Sequence, residues 1–277
     1  MSDHERAPIK TATSEPSGRA ASIMAHLVAG YPSYEQSLAV GGELAAAGVS
    51  FLEVQFPFSD PTADGPSIQA ACTRALDEGF RTKDGFELVS SLSGAAGEPG
   101  GGGADTPPGA GPATAPPLVF IMTYASIACA HGVERFAERA AAAGAHGLIV
   151  PDLPPDYDEG LYAAGREAGL HVVPVLVPSA SQKRIDTALA TRPRYVYAAL
   201  RKGTTGARTE IGAENIGFLE ELRQAGVHVM AGFGIRQRDQ VEALDGHAHT
   251  VVVGSAFVDT IAAGRSVGEL ARTLVYG

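Results

Sequence analysis

Apolar residues along this chain fall into short runs that alternate with stretches of helical periodicity. Residues 23–28 (Ile-Met-Ala-His-Leu-Val) make the first run, closed by Ala29-Gly30-Tyr31-Pro32. Ser33 then offers an N-cap hydroxyl for a helix through Ala47, in which Leu38, Val40, Leu44 and Ala45 fall near helical spacing; Gly48 ends it. Residues 51–56 make the second run, stopped by Pro57, which has no N–H to give a sheet ladder. Helical periodicity returns over 67–77 and 83–92. Beyond residue 117 the rhythm resumes, with strands predicted at 118–123, 147–150, 171–177, 194–200, 227–231 and 250–253. Helices are predicted between them at 132–143, 158–168, 181–190, 213–225 and 236–244, then one from 256 and a last near 267–275.

The pattern predicts eight strands, each followed by a helix. The strands are short and nearly continuously apolar, as parallel strands covered by helices must be. An open doubly wound sheet would also alternate β and α. Eight units in roughly 250 residues, without a nucleotide-type glycine fingerprint after the first strand, point instead to an α/β (β/α)8 TIM barrel. Two stretches stand outside the rhythm. Residues 1–20 are polar and read as a flexible leader. Residues 94–117 are dominated by Gly, Pro, Ala and Thr, with Gly100 to Gly103 consecutive, and cannot build a core. Because the same alternation runs on both sides, this segment reads as an insertion into a single catalytic domain over 21–277.

Composition narrows the function classes. Lys and Arg number 21 against 31 Asp and Glu, a net charge of −10, which disfavours nucleic acid or an anionic membrane as the main partner. Backbone N–H groups can still bind a phosphate locally. Cys72 and Cys129 lack metal spacing and cannot form a disulfide framework, so no metal is expected and a reduced, cytoplasmic setting fits. No apolar run approaches membrane-spanning length.

In a barrel the chemistry lies at the C-terminal ends of the strands. Glu53 sits inside an apolar strand, and Asp60 and Asp64 follow in the next loop. A carboxylate facing a dry barrel mouth suits a general acid/base, although a buried structural Glu in a salt bridge is the competing reading. Asp60 and Asp64 both neighbour turn-formers, Pro61 and Gly65, and their residue type does not say which is chemical. Gly232-Phe233-Gly234-Ile235 and Gly254-Ser255-Ala256 fall after the last two strands, where barrels often hold phosphate on backbone N–H groups. The loop Arg201-Lys202-Gly203-Thr204-Thr205-Gly206-Ala207-Arg208 suits a mobile lid, and Gly206 can add an N–H to the phosphate. His26 reads as a core or pocket-wall histidine rather than a base. Tyr124 and Tyr197, at strand ends, are either pocket walls or hydroxyl donors. These residues alone predict an acid/base enzyme acting on a small phosphorylated metabolite.

The run Glu53-x-x-x-Pro57-Phe58-Ser59-Asp60-Pro61-x-Ala63-Asp64-Gly65-Pro66-x-Ile68-Gln69 closely resembles the signature of the tryptophan synthase alpha chains. The resemblance continues in Ala29-Gly30-Tyr31-Pro32, Met122-Thr123-Tyr124, Pro151-Asp152-Leu153-Pro154, Gly203-Thr204-Thr205-Gly206 and the two glycine-rich blocks, in family order from Ile23 onward. It implies a lyase of tryptophan biosynthesis that splits indole-3-glycerol phosphate into indole and glyceraldehyde 3-phosphate. It also implies Glu53 and Asp64 as the catalytic pair, and Tyr197, Tyr124, His26 and Ile149 at the substrate. By the same resemblance Gly206, Gly234, Gly254 and Ser255 form the phosphate cradle, while Asp60, Pro61 and Thr205 couple the loops to a partner. The implied partner is a tryptophan synthase beta chain carrying pyridoxal phosphate (PLP), in an α2β2 tetramer, with no cofactor in this chain. A stand-alone lyase and a non-catalytic activator of the beta chain are the alternatives. Gln55 stands where the family commonly has Gly and Ser126 where Asn is usual; Lys202 and the insertion also depart from the pattern.

Overall fold

The computed structural model describes residues 20–94, 116–200 and 210–277. Residues 1–19 of the leader, 95–115 of the insertion and 201–209 of the proposed lid, with Lys202, Thr205 and Gly206, lie outside the described residues.

Among the described residues, nine parallel strands form one sheet: β1 (Ser22–Val28), β2 (Phe51–Gln55), β3 (Leu118–Met122), β4 (Gly147–Ile149), β5 (His171–Val173), β6 (Val175–Leu176), β7 (Tyr195–Ala199), β8 (His228–Gly232) and β9 (Thr250–Val253). Their order is β5-β4-β3-β2-β1-β9-β8-β7-β6. The eight expected strands become nine because Pro174, which has no N–H, interrupts one of them between β5 and β6. The interruption does not open the ladder, since the Pro174 carbonyl accepts from the Tyr197 N–H at 2.9 Å. The stretch from His171 to Leu176 therefore pairs with β4 on one side and β7 on the other, completing the (β/α)8 barrel.

Helices cover the outside: α1 (Tyr34–Ala46), α2 (Pro66–Asp77), α3 (Thr82–Leu92), α4 (Ala125–His131), α5 (Val133–Ala142), α6 (Leu161–Glu167), α7 (Gln182–Ala190), α8 (Ala213–Gln224), α9 (Arg238–Glu242), α10 (Ser255–Ala262) and α11 (Val267–Tyr276). Ser33 caps α1 as its sequence predicts, accepting from the Gln36 N–H. The helix expected over 132–143 forms as α5, and a short helix that the sequence pattern did not predict, α4, precedes it; the two meet at Gly132, whose φ of 78° turns the chain between them. No helix among the described residues is long and apolar enough to cross a membrane.

Period-two alternation separates two cores. Ala25, Leu27, Leu52, Val54, Ile121, Val196 and Val251 face outward into the helices. Met24, Phe51, Phe120, Met122, Tyr197, Met230 and Val252 fill the barrel interior. Tyr195 is centred in the floor, its ring within 5.4–6.3 Å of those of Phe51, Phe120, His146, His171, His228 and His249. Above this layer, at the C-terminal ends of the strands, the interior becomes polar.

Candidate active site

β1 and β2 pair in register so that His26 lies directly beside Glu53. Both side chains turn inward, and His26 Nδ1 stands 2.7 Å from Glu53 Oε2. Glu53 is only 5% exposed and His26 2%. The imidazole thus holds one carboxylate oxygen, while Glu53 Oε1 has no hydrogen-bond partner among the described residues and Glu53 lines the central cavity. The carboxylate is thus paired through a single oxygen.

The loop after β2 brings a second carboxylate over the same cavity. Its turn is closed by Thr62 N–H to the Asp60 carbonyl and Asp64 N–H to the Pro61 carbonyl, at 2.9 and 3.0 Å. Pro66 then opens α2 at a position where a missing N–H costs nothing. Asp60 is left exposed, whereas Asp64 is buried and lines the cavity; burial separates two aspartates that residue type could not. Asp64 Oδ2 accepts from the Tyr124 hydroxyl at 2.8 Å and from Gln55 Nε2 at 2.7 Å. Tyr124 in turn accepts the Ala63 N–H at 3.1 Å and stacks on Phe58. Gln69 Nε2 donates to the Asp64 carbonyl at 2.8 Å. Tyr124, expected on the pocket wall, stands behind Asp64 and braces it. Burial raises the Asp64 pKa, with the Glu53 charge adding to the effect; His26, Tyr124 and Gln55 oppose it. Burial, reinforced by Glu53 and Asp64, drives the Tyr197 hydroxyl well above its ordinary range, so it stays protonated.

The cavity and its mouth together comprise about 550 Å³ of empty space. Ile68, Met122, Ile149, Val175 and Val252 give it an apolar slot. Gly234, Gly254 and Ser255 complete the lining. Phe233 and Gly234 both adopt positive φ, 78° and 80°, an arrangement costly for Phe and found where a site demands it. Buried Gln240 braces this turn, donating to the Gly234 carbonyl at 3.0 Å and accepting the Arg236 N–H at 2.9 Å. Ser255 begins α10, where first-turn N–H groups have no intrahelical acceptor and the helix dipole favours an anion. Arg236 Nη1 donates to Ser255 Oγ at 3.2 Å, and its Nη2 pairs with Asp259 at 2.6 Å.

Of the residues singled out from sequence, Glu53, Asp64, His26, Ile149, Tyr197, Gly234, Gly254 and Ser255 meet around one cavity. Pro61 is buried in the loop that carries Asp64. Gln55, Gln240 and Arg236 were not anticipated as parts of the site. Gln55 could have been, because a polar residue two positions after Glu53 must share its face of the strand. No cluster of metal-ligating side chains occurs among the described residues.

The family profile of the tryptophan synthase alpha chain matches residues 12–99 and 111–274. The tryptophan synthase alpha chain of Helicobacter hepaticus is 35% identical over 240 residues, covering 85% of this chain and 84% of that one. The one from Leifsonia xyli subsp. xyli is 36% identical over 265 residues, covering 93% and 94%. Among solved structures, Mycobacterium tuberculosis tryptophan synthase superposes with a TM-score of 0.79 at 31% identity, covering 92% of this chain and 91% of that one. A chain of the tryptophan synthase complex from Pyrococcus furiosus gives 0.74 at 26% identity, covering 92% and 98%. With a profile match running through both halves of the barrel and relatives above 30% identity along most of its length, the chain belongs to the tryptophan synthase alpha chain family.

Proposed function

We propose that this chain cleaves indole-3-glycerol phosphate to indole and glyceraldehyde 3-phosphate. Breaking the bond between indole C3 and the glycerol carbon leaves an electron pair at C3. A proton must reach C3 first, so that the ring becomes the electron sink. The free oxygen of Glu53 is the group that delivers this proton and handles the one leaving the glycerol hydroxyl as it becomes an aldehyde. The free oxygen of Asp64 accepts the indole N–H and stabilises the positive charge that C3 protonation creates. Once the bond breaks, the ring keeps the electron pair and becomes neutral indole. The protonated ring is itself the sink, so this half-reaction needs no cofactor in the chain.

The apolar slot around Ile149 suits the indole ring, and the protonated Tyr197 hydroxyl adds a donor near the carboxylates. Gly234, Gly254 and Ser255, with Gly206 from the lid, are assigned to the phosphate. The observation that carries the reading is that two buried carboxylates line one cavity, each with one oxygen held by the protein and the other unclaimed. Indole then passes to a PLP-dependent beta chain in an α2β2 assembly, with Asp60, which is exposed, and with Pro61 and Thr205 in the loops that couple to it.

The test is indole release from indole-3-glycerol phosphate by the purified chain, with and without a beta chain. Glu53→Gln should lower kcat by about 10²-fold or more while phosphate binding persists. No turnover by the unmodified chain under either condition refutes the enzyme reading. Full activity without the partner, unchanged on its addition, would favour a stand-alone lyase.

A further inference from the structure

Gln55 is fully buried at the end of β2, two residues after Glu53 and on the same inward face. Its Nε2 donates to Asp64 Oδ2, the oxygen that also takes the Tyr124 hydroxyl. Its own carbonyl oxygen, Oε1, is buried without a hydrogen-bond partner among the described residues. An orphaned buried acceptor lowers stability, so a residue present only to fill this space would be better as Leu or Met. The amide group is useful because of its donor.

We propose that Gln55 is a positioning residue for Asp64: together with Tyr124 it occupies one carboxylate oxygen, so that the other is the single acceptor presented to the substrate's ring N–H. The inference rests on the reaction proposed above. Geometry explains why the donor is a neutral amide. A carboxylate at position 55 would repel Asp64, and a Lys would bring an additional charge into a fully buried place. Two donors on one oxygen leave Asp64 little freedom to rotate about its terminal torsion, which is otherwise broad for a carboxylate. They also favour its charged form against the opposing effect of burial.

The test compares Gln55→Met, similar in length but without the donor, and Gln55→Glu, which is isosteric. Steady-state kcat and KM for indole-3-glycerol phosphate are measured across the acid limb of the pH profile, alongside thermal unfolding. Gln55→Met should lose about tenfold or more in kcat, the scale of one hydrogen bond to a charged acceptor, with KM changed little. Its acid limb should move to higher pH, because Asp64 loses a donor that favours ionisation. Its Tm should hold or rise, because the orphaned carbonyl is gone. Gln55→Glu should come nearest to the unmodified enzyme at acid pH, where its protonated carboxyl can donate to Asp64, and fall away as it ionises. Gln55→Met with kcat within about twofold and an unmoved acid limb would overturn the inference. So would a Gln55→Glu profile parallel to that of the unmodified chain, or loss of the fold in both variants, which would make Gln55 a structural residue. Failure of the proposed reaction is distinguishable, because it appears in the unmodified chain as an absence of indole.

Discussion

Gly232 ends β8 beneath the glycine-rich turn, and a Cβ added there would stand 2.4 Å from the Tyr197 hydroxyl oxygen, 2.9 Å from Cζ and 3.1 Å from Cε1. Ordinary contact begins near 3.4 Å, so Gly232→Ala requires the Tyr197 ring to retreat by about 1 Å. The ring has little room, being buried inside the barrel and set edge-on against Phe233 at 5.9 Å. Overpacking of this kind costs roughly 1–3 kcal/mol, while Gly→Ala returns about 0.4–1 kcal/mol through the unfolded chain. The net expectation is a loss of about 1–2 kcal/mol, read as ~2–4 °C of Tm for each kcal/mol in a chain of this size. Activity should suffer more than stability. A displacement of about 1 Å beside the reacting groups can cost ~10²-fold in rate, and Tyr197 sits close enough to Glu53 and Asp64 to feel both charges. Scanning calorimetry and an indole-release assay measure the two effects. Tyr197→Phe, made in the Gly232→Ala background, removes the most crowded atom and should recover part of the lost Tm. Gly232→Ala with the Tm and kcat of the unmodified chain, or a double variant whose effects simply add, would refute the steric argument.

Two further perturbations separate the site from the scaffold. Burial raises the Asp64 pKa, so the folded chain binds that proton more tightly than the unfolded chain does. The stability associated with Asp64 is therefore present at low pH and lost as pH rises through the raised folded value. Asp64→Asn keeps an acceptor for Tyr124 and Gln55, and should be more stable than the unmodified chain to urea at neutral pH. That gain should shrink on acidification while indole release is lost, and a gain that grew on acidification would contradict the assignment. Phe56 is fully buried, with the rings of Phe80, Phe86 and Phe136 within 5.2–6.2 Å and Gly85 leaving space for its face. Phe56→Ala should cost about 3–5 kcal/mol in urea unfolding, and a loss below ~1 kcal/mol would mean that the pocket collapses around the smaller residue.

Most of the barrel was legible because its strands are compact apolar runs punctuated by Gly and Pro. Helix α4 escaped because Ala125-Ser126-Ile127-Ala128-Cys129-Ala130-His131 is built of small residues and carries no clear stripe. Pro174 was visible in the sequence, but the Tyr197 contact that keeps the ladder closed across it depends on a strand folded from distant residues. The chemistry was legible to a different depth. Glu53 stood out as a carboxylate inside an apolar strand, whereas residue type left Asp60 and Asp64 equivalent; the long motif implied different roles for them, and their burial differs accordingly. The pairing of His26 with Glu53 depends on inter-strand register, which no local pattern displays. The same applies to the floor of the barrel, where four histidines from four separate strand starts gather around Tyr195. Indole as the substrate came from the long motif, since an apolar slot beside glycine-rich turns fits many metabolites.

β1 pairs with β9 as well as with β2, placing Ala25 opposite Val253 at the seam of the barrel. His26 lies just past that seam on one side, and Gly254 and Ser255 just past it on the other. On the reading proposed above, the proton-handling groups thus come from β1, β2 and the loop after β2, and the groups assigned to phosphate from the ends of β8 and β9. During synthesis on the ribosome, a growing chain can hold Glu53, His26 and Asp64 long before it has Gly234, Gly254 and Ser255, the groups assigned above to phosphate. The cavity becomes whole only when the final strand emerges and closes the ring, so truncated products carry the acid/base groups without a complete binding site.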